Sequence, residues 1–266
     1  MEDLLSNKRH PSSLNKLPRV ITVANQKGGV GKTTTVVNIA TCLAETGKRV
    51  LIVDFDPQAN ATSAVGIEPG TFNQSIYEVI LGHASMNDSI IKTKWKGLSI
   101  APATIDLSGA EIELVSAFNR ERYLKTAISG IIDNYDYVFI DCPPSIGLLT
   151  VNALTAADEV LVPIQCEYLA LEGLGQLINN VEKVKTHLNE NLHISIIALV
   201  MFDGRTKLAS QVVQEVRDHF GNTVCNQVIP RSVRLSEAPS YGQPIIYFDP
   251  KSRAALAYRA LAKEIS

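Results

Sequence analysis

The amino-acid sequence predicts an α/β fold in three layers, a mainly parallel twisted sheet flanked by helices on both faces. Three observations carry this. Short β-rich runs alternate with helical patterns from Arg19 onward. Several of those runs are unbroken Val/Ile/Leu stretches, as strands covered on both faces read. The first run also passes through a glycine-rich turn directly into a helical pattern. At 266 residues, with 45% hydrophobic and 20% charged side chains, the chain can bury a sizeable core and is not disordered throughout.

In chain order, strands are expected at Val20–Ala24, Val50–Asp54, Leu98–Ala101, Tyr137–Asp141, Glu159–Ile164, Ile194–Met201 and Val224–Ile229. Helices are expected at Lys32–Glu45 (ending at Gly47), Gly109–Asp133, Leu148–Ala157, Leu174–Leu188, Lys207–Phe220 and Ser252–Ile265. Such alternation implies right-handed crossovers between parallel strands. Residues 1–18 hold Ser, Asn, Lys and two prolines without a periodic pattern and read as a flexible arm. Residues 19–266 read as a single domain.

Composition narrows the function classes. Cys42, Cys142, Cys166 and Cys225 form no CxxC and no Cys/His cluster, so they read as small buried hydrophobes rather than disulfides or zinc ligands. The first 18 residues lack an apolar signal core, and no run of about 18 apolar residues exists to span a membrane. A soluble, cytoplasmic protein is expected. The net charge is −2, so no global basic excess announces a polyanion partner. The balance is uneven, however. Arg205 to Ser266 carries nine basic and five acidic residues, against sixteen and twenty-two in the 204 residues before it. A mildly basic C-terminal third hints at a polyanion-facing surface.

The strongest chemical signal is Val20 to Thr34, VITVANQKGGVGKTT. Gly28, Gly29 and Gly31 permit a tight turn whose N–H groups face inward, and the helix N-terminus adds its dipole, making an anion cradle of the P-loop NTPase kind. Lys32 supplies a point charge for the β- and γ-phosphates, and Thr33 offers a hydroxyl to Mg²⁺. The common loop is GxxxxGK[ST]; here Gln26 stands at the first glycine and a second lysine, Lys27, joins the loop. One lysine suffices for the γ-phosphate, which leaves Lys27 free to serve a nucleotide on a second subunit.

Two strands end in acids: Asp54-Phe-Asp-Pro-Gln58 and Asp141-Cys-Pro-Pro144. In a parallel sheet, strand C-termini gather where the phosphate loop sits. Asp54, Asp56 and Asp141 would therefore flank the phosphates. Asp141, at the end of an apolar run, suits a metal directly or through water. Asp56 suits orientation of the attacking water and lies within reach of the same ion.

These segments, Lys27 to Thr34, Asp54 to Asn60 and Phe139 to Pro144, resemble the deviant Walker A ATPases. Within them, Ile229 to Ser240 and Phe202 to Thr206 resemble the ParA/Soj chromosome-partition ATPases, over nearly the whole chain from Arg19 to Ile265. The resemblance implies an ATP-driven sandwich homodimer, with Lys27 reaching the partner's phosphates. It implies nucleotide binding by Gly28, Gly29, Gly31, Lys32, Thr33 and Thr34. Adenine would lie against Pro230 and Ser232, where the family often has Asn at the latter position. It also implies non-specific binding of double-stranded DNA through Arg205 and Arg234, with Lys251 and Arg253 as weaker candidates, and a ParB-type partner that stimulates hydrolysis on the nucleoid. No helix-turn-helix signature suggests operator recognition. The alternative is a MinD-like membrane-associated ATPase, which would want a basic amphipathic tail. Arg253 to Ser266 reads instead as a helix packed on the sheet.

Overall fold

The computed structural model describes residues 18–167 and 170–266; the expected arm at 1–18 lies, but for Pro18, outside them. The sheet has eight strands: β1 (Arg19–Val23), β2 (Val50–Asp54), β3 (Ile91–Lys92), β4 (Leu98–Ala101), β5 (Tyr137–Asp141), β6 (Glu159–Gln165), β7 (His193–Phe202) and β8 (Val224–Pro230). Their spatial order is β3-β4-β2-β5-β1-β6-β7-β8. Among the described residues seven run parallel, and only the edge strand β3, which the sequence reading missed, is antiparallel to its neighbour.

Successive strand side chains point to opposite faces, and the two faces build two cores. Val20, Leu51, Val53, Val138 and Ile140 pack beneath α2 (Leu148–Ala156), α3 (Ala170–His187) and α4 (Lys207–Phe220). Ile21, Val23, Ile52 and Phe139 pack beneath α1 (Lys32–Glu45) and α5 (Arg253–Ile265). Each buried Val, Ile, Leu or Phe contributes about 1.5–3 kcal/mol, so the two cores supply the main drive to fold. Local signals agree at the helix ends. Thr206 accepts from Ala209 N–H (3.3 Å) to start α4, and Ser252 accepts from Ala255 N–H (3.2 Å) to start α5. The expected packing of the tail on the sheet is found, with Ala255, Tyr258 and Leu261 buried. All four cysteines are free and buried.

The expected helix Gly109–Asp133 is the clear miss. The chain instead forms a helix at Leu107–Glu113, tight turns at Leu114–Ser116 and Arg120–Arg122, and a second helix at Tyr123–Ser129. Ala117 is extended and Asn119 adopts φ +54°, which breaks the continuous pattern. Buried Asn152 then organises the restart. It accepts from Leu124 N–H (3.3 Å) and donates to Arg120 C=O (2.8 Å), a tertiary cap that local periodicity does not reveal.

Candidate functional site

The nucleotide edge of the sheet is assembled by register. Val23 pairs with Asp141 and Asp54 pairs with Asp141, so the phosphate loop and both acidic strand ends emerge at one level. A cavity of about 550 Å³ opens there. It is lined by the loop residues Gly28, Gly29, Gly31, Lys32, Thr33 and Thr34, together with Asp56 and Gln58. Gly31 holds φ +82° at the start of α1 and, lacking a side chain, does not cap the first N–H groups of that helix. Those donors remain open to an anion.

Side chains from other strands brace the loop. Asn25 donates to Pro163 C=O (2.8 Å) and accepts from Lys27 N–H (3.0 Å). Gln165 donates to Gly29 C=O (3.0 Å). Lys32 is buried, and its ammonium lies 3.4 Å from Lys27 C=O. Burial lowers its pKa, against the opposing pull of Asp141 first and then the other neighbours, among them Asp56.

Lys27 behaves differently. It does not line the cavity, its side chain is 42% exposed, and its ammonium sits 3.9 Å from Glu167, which also lies 4.0 Å from Arg231. The loop's two lysines thus diverge, one into the cavity and one out of it.

The three acids divide as well. Asp54 is fully buried and is engaged by Thr62, accepting from its N–H (2.7 Å) and its hydroxyl (2.6 Å). Burial pushes its carboxyl up to about 6 in spite of those bonds. Asp54 therefore shapes the turn rather than facing the phosphates, a correction to the expectation of three flanking carboxylates. Asp56 is buried on the cavity wall, where it accepts from Gln58 N–H (3.0 Å) and anchors the turn to Ala59. Asp141 is fully buried with neither carboxylate oxygen hydrogen-bonded among the described residues. Burial and then the Asp54 charge raise its pKa well above the usual value, while the neighbouring Thr33 hydroxyl and Lys32 oppose the rise.

An orphaned buried carboxylate beside Thr33 fits Mg²⁺. Among the described residues no group of three His, Cys, Asp or Glu forms a complete protein cage. Mg²⁺ needs none, since it completes its shell with phosphate oxygens and water.

The remaining wall was not legible in the sequence. Met201, Leu235, Ala238, Pro239, Gln243 and Pro244 line it, while Pro230 and Ser232 do not. Pro230 closes β8, and Ser232 precedes the short helix Val233–Glu237 that brings Leu235 to the cavity. Met201 holds φ +55°, rare for a side chain with a Cβ and typical of strain kept at a working site. Asn38 fastens this wall to α1, accepting from Ile245 N–H (2.8 Å) and donating to Thr34 C=O (2.8 Å).

The candidate DNA contacts lie outside the cavity, and two are already engaged. Exposed Arg205 forms a forked pair with Asp203 (2.8 and 2.6 Å), which draws the Asp203 carboxyl down to about 2. Arg234 pairs with Glu237 (2.7 Å) and Asp249 (3.2 Å), and stacks 4.3 Å over Phe248. Lys251 and Arg253 are exposed, with no ion pair among the described residues.

Comparison with known proteins agrees with this fold. The family profile of an AAA domain matches residues 18–194. The sporulation initiation inhibitor protein Soj of Bacillus subtilis is 55% identical over 248 residues, covering 93% of this chain and 98% of its own. The chromosome partitioning protein ParA of Myxococcus xanthus is 50% identical, covering 93% and 87%. Among solved structures, a cobyrinic acid a,c-diamide synthase from Mycobacterium smegmatis with bound ATP analogue and magnesium superposes with a TM-score of 0.81 at 40% identity, covering 92% and 93%. The Pyrococcus furiosus cell division ATPase MinD gives 0.78 at 26%, covering 94% and 98%. Among the described residues no helix is long and apolar enough to cross a membrane.

Proposed function

The chain belongs to the Soj/ParA family of chromosome-partitioning ATPases, and we propose that it works as an ATP-gated dimeric switch. In this reading the ATP-bound homodimer grips double-stranded DNA without sequence preference, and hydrolysis, stimulated by a ParB-type protein, releases it on the nucleoid. Residues 19–266 act as one ATPase domain. The single observation that carries the reading is the divergence of the two loop lysines: Lys32 is committed to the cavity, whereas Lys27 is directed out of it. A cation at the rim, held only loosely by Glu167, is available to a nucleotide on a second copy.

Within the site, the N–H groups of Gly28 to Thr34 bind the phosphates of ATP, and Lys32 neutralises the β- and γ-oxygens. Thr33 and Asp141 would hold Mg²⁺, which when bound would supply positive charge to offset the charge that develops on the phosphates. Asp56, on the cavity wall, would lie within reach of the same ion and orients the attacking water. Phosphoryl transfer asks mostly for positioning of this kind. The base rests against Leu235, Pro239 and Pro244, with Gln243 and Asn38 as polar neighbours. Pro230 and Ser232 act one step back, by setting that wall. Arg205, Arg234, Lys251 and Arg253 provide phosphate contacts that a dimer doubles; the first two must exchange a carboxylate for DNA.

Light scattering with ATP tests the arrangement. Lys27→Ala is expected to bind ATP as a monomer, while Asp56→Ala forms the ATP dimer but does not turn over. A normal ATP dimer from Lys27→Ala refutes the contact in trans.

A further inference from the structure

A short segment beyond the end of β4 is apolar on two opposite sides. Residues 107–116 form a helix and the tight turn that continues it. One side, with Leu107, Ala110 and Leu114, is buried in the core. Another side carries Ile112 and Val115, three residues apart and both exposed, Ile112 at 77%. Ile105 precedes the helix and Phe118 follows the turn, and Phe118 is 93% exposed. Among the described residues ten large apolar side chains are exposed, and half of them are these four and Ile146. A surface helix ordinarily turns polar side chains to water, and an apolar patch left there marks a contact surface.

Glu111 brings Ile146 to this segment. Its carboxylate accepts from Leu149 N–H (3.2 Å) at the start of α2, and it lies so close to Gly147 that a Cβ there would overlap it. Glycine at 147 therefore lets the loop after β5 lie against the helix, with Ile146 as the next residue. The same loop leaves Asp141 and passes Pro144, which lines the ATP cavity. The patch thus continues the cavity rim, on the edge where β4 and β5 end. Its composition says what can cover it. Residues 105–118 contain no Lys or Arg, so the segment offers nothing to DNA or to lipid phosphate. Its acids already accept bonds from the same chain: Glu111 as above, Glu113 from the Tyr77 hydroxyl (2.9 Å) and Asp106 from the Thr104 hydroxyl (3.2 Å). The remainder is apolar and therefore complementary to itself. A two-fold dimer brings like surfaces together across its axis.

We propose that Ile105, Ile112, Val115, Phe118 and Ile146 form the apolar centre of the contact between two copies of this chain, each patch packing on its twin. The proposal rests on the dimeric reading above and adds what Lys27 does not supply, apolar surface removed from water. The five side chains cover less than the roughly 800 Å² per copy that a stable interface buries. The patch alone therefore does not hold a dimer, and the contact of Lys27 with the partner's nucleotide is needed as well. Ile146 lies five residues beyond Asp141, so the nucleotide site and the patch share one short loop.

The test is sedimentation velocity of the full-length protein over a concentration series, with and without a non-hydrolysable ATP analogue. Ile112→Ser/Val115→Ser/Phe118→Ser should weaken the analogue-dependent dimer by about a hundredfold or more, since three side chains no longer leave water. The same variant should bind the analogue as a monomer and unfold at the wild-type midpoint, because these side chains are exposed in the single chain. Ile112→Leu/Val115→Ile/Phe118→Leu should keep the dimer. A separate Ile112→Cys variant should cross-link to its twin through a short bismaleimide only with the analogue; the four natural cysteines are buried. A dimer of wild-type strength in the serine variant overturns the proposal and leaves the dimeric reading standing. Loss of stimulation by the ParB-type protein in such a normal dimer would give the patch to that partner instead. An analogue-dependent dimer without the Ile112→Cys cross-link overturns the packing of patch on twin, and a wild-type protein that never dimerises overturns both readings.

Discussion

Asp54 and Asp141 occupy paired positions on adjacent strands, yet one carboxylate is satisfied and the other is not. Sequence spacing locates both acids, because a strand-end aspartate is visible in the letters. It does not separate their tasks, because the partner that claims Asp54 is Thr62, eight residues on and past a turn. Burying Asp141 without a hydrogen-bond partner carries a cost, which the metal proposed for this site would offset. Asp141→Asn keeps the shape and removes the buried charge, so the nucleotide-free protein should become more stable. Affinity for magnesium-ATP should fall in the same variant. Thermal unfolding with and without magnesium-ATP reads both effects, and a variant that loses stability in both conditions would mean that Asp141 is structural.

At the scale of elements, β2, β4, β5, α1 and α4 coincide with the expected boundaries because each has a strong period and a clear start or stop. The failures share a cause, which is dependence on contacts distant in sequence. β3 is two residues long and exists only because β4 pairs with it. The Gly109–Asp133 pattern breaks at Asn119 and restarts on the side chain of Asn152. The far wall of the cavity packs on α1 through Ala238, Ile245 and Ile246, and Ile245 N–H donates to Asn38, a link of 207 residues. Asn152→Ala isolates the tertiary cap. It strands a buried N–H and a C=O, at a cost of about 2–3 kcal/mol. Hydrogen exchange should show the loss concentrated in Tyr123–Ser129, with α2 itself little changed. Uniform acceleration over the whole chain would show that the cap has no local role.

Over the whole molecule, charge is distributed in a way that composition conceals. The 204 residues that carry the acidic excess also contain the densest lysine run, Lys92, Lys94 and Lys96, while two of the four DNA candidates of the basic C-terminal third are spent on Asp203, Glu237 and Asp249. Fold class was legible because it follows from the order of patterns; surface charge was not, because it follows from what folding brings together. The same applies to the buried pair that ties the two ends of the described chain. Arg19 opens β1 and binds Glu159 at the start of β6 through two bonds of 2.7 Å, and its guanidinium also donates to Ile265 C=O at the end of α5. Burial would raise the Glu159 carboxyl, but the hydrogen bonds and charge of Arg19 hold it below the usual carboxylate range. Its folded pKa is thus below its unfolded value, near 4.3. The stability it contributes is present above about pH 4.3 and is lost as pH falls through the lower folded value. Arg19→Ala leaves a buried carboxylate unpaired and should cost about 3–5 kcal/mol at neutral pH. Arg19→Met/Glu159→Gln removes both charges, so it should cost less and should flatten the acid limb of the stability curve. Denaturant titrations from pH 3 to 7 decide the matter: an acid limb of wild-type steepness in the double variant would place the sensitive carboxylate elsewhere in the fold.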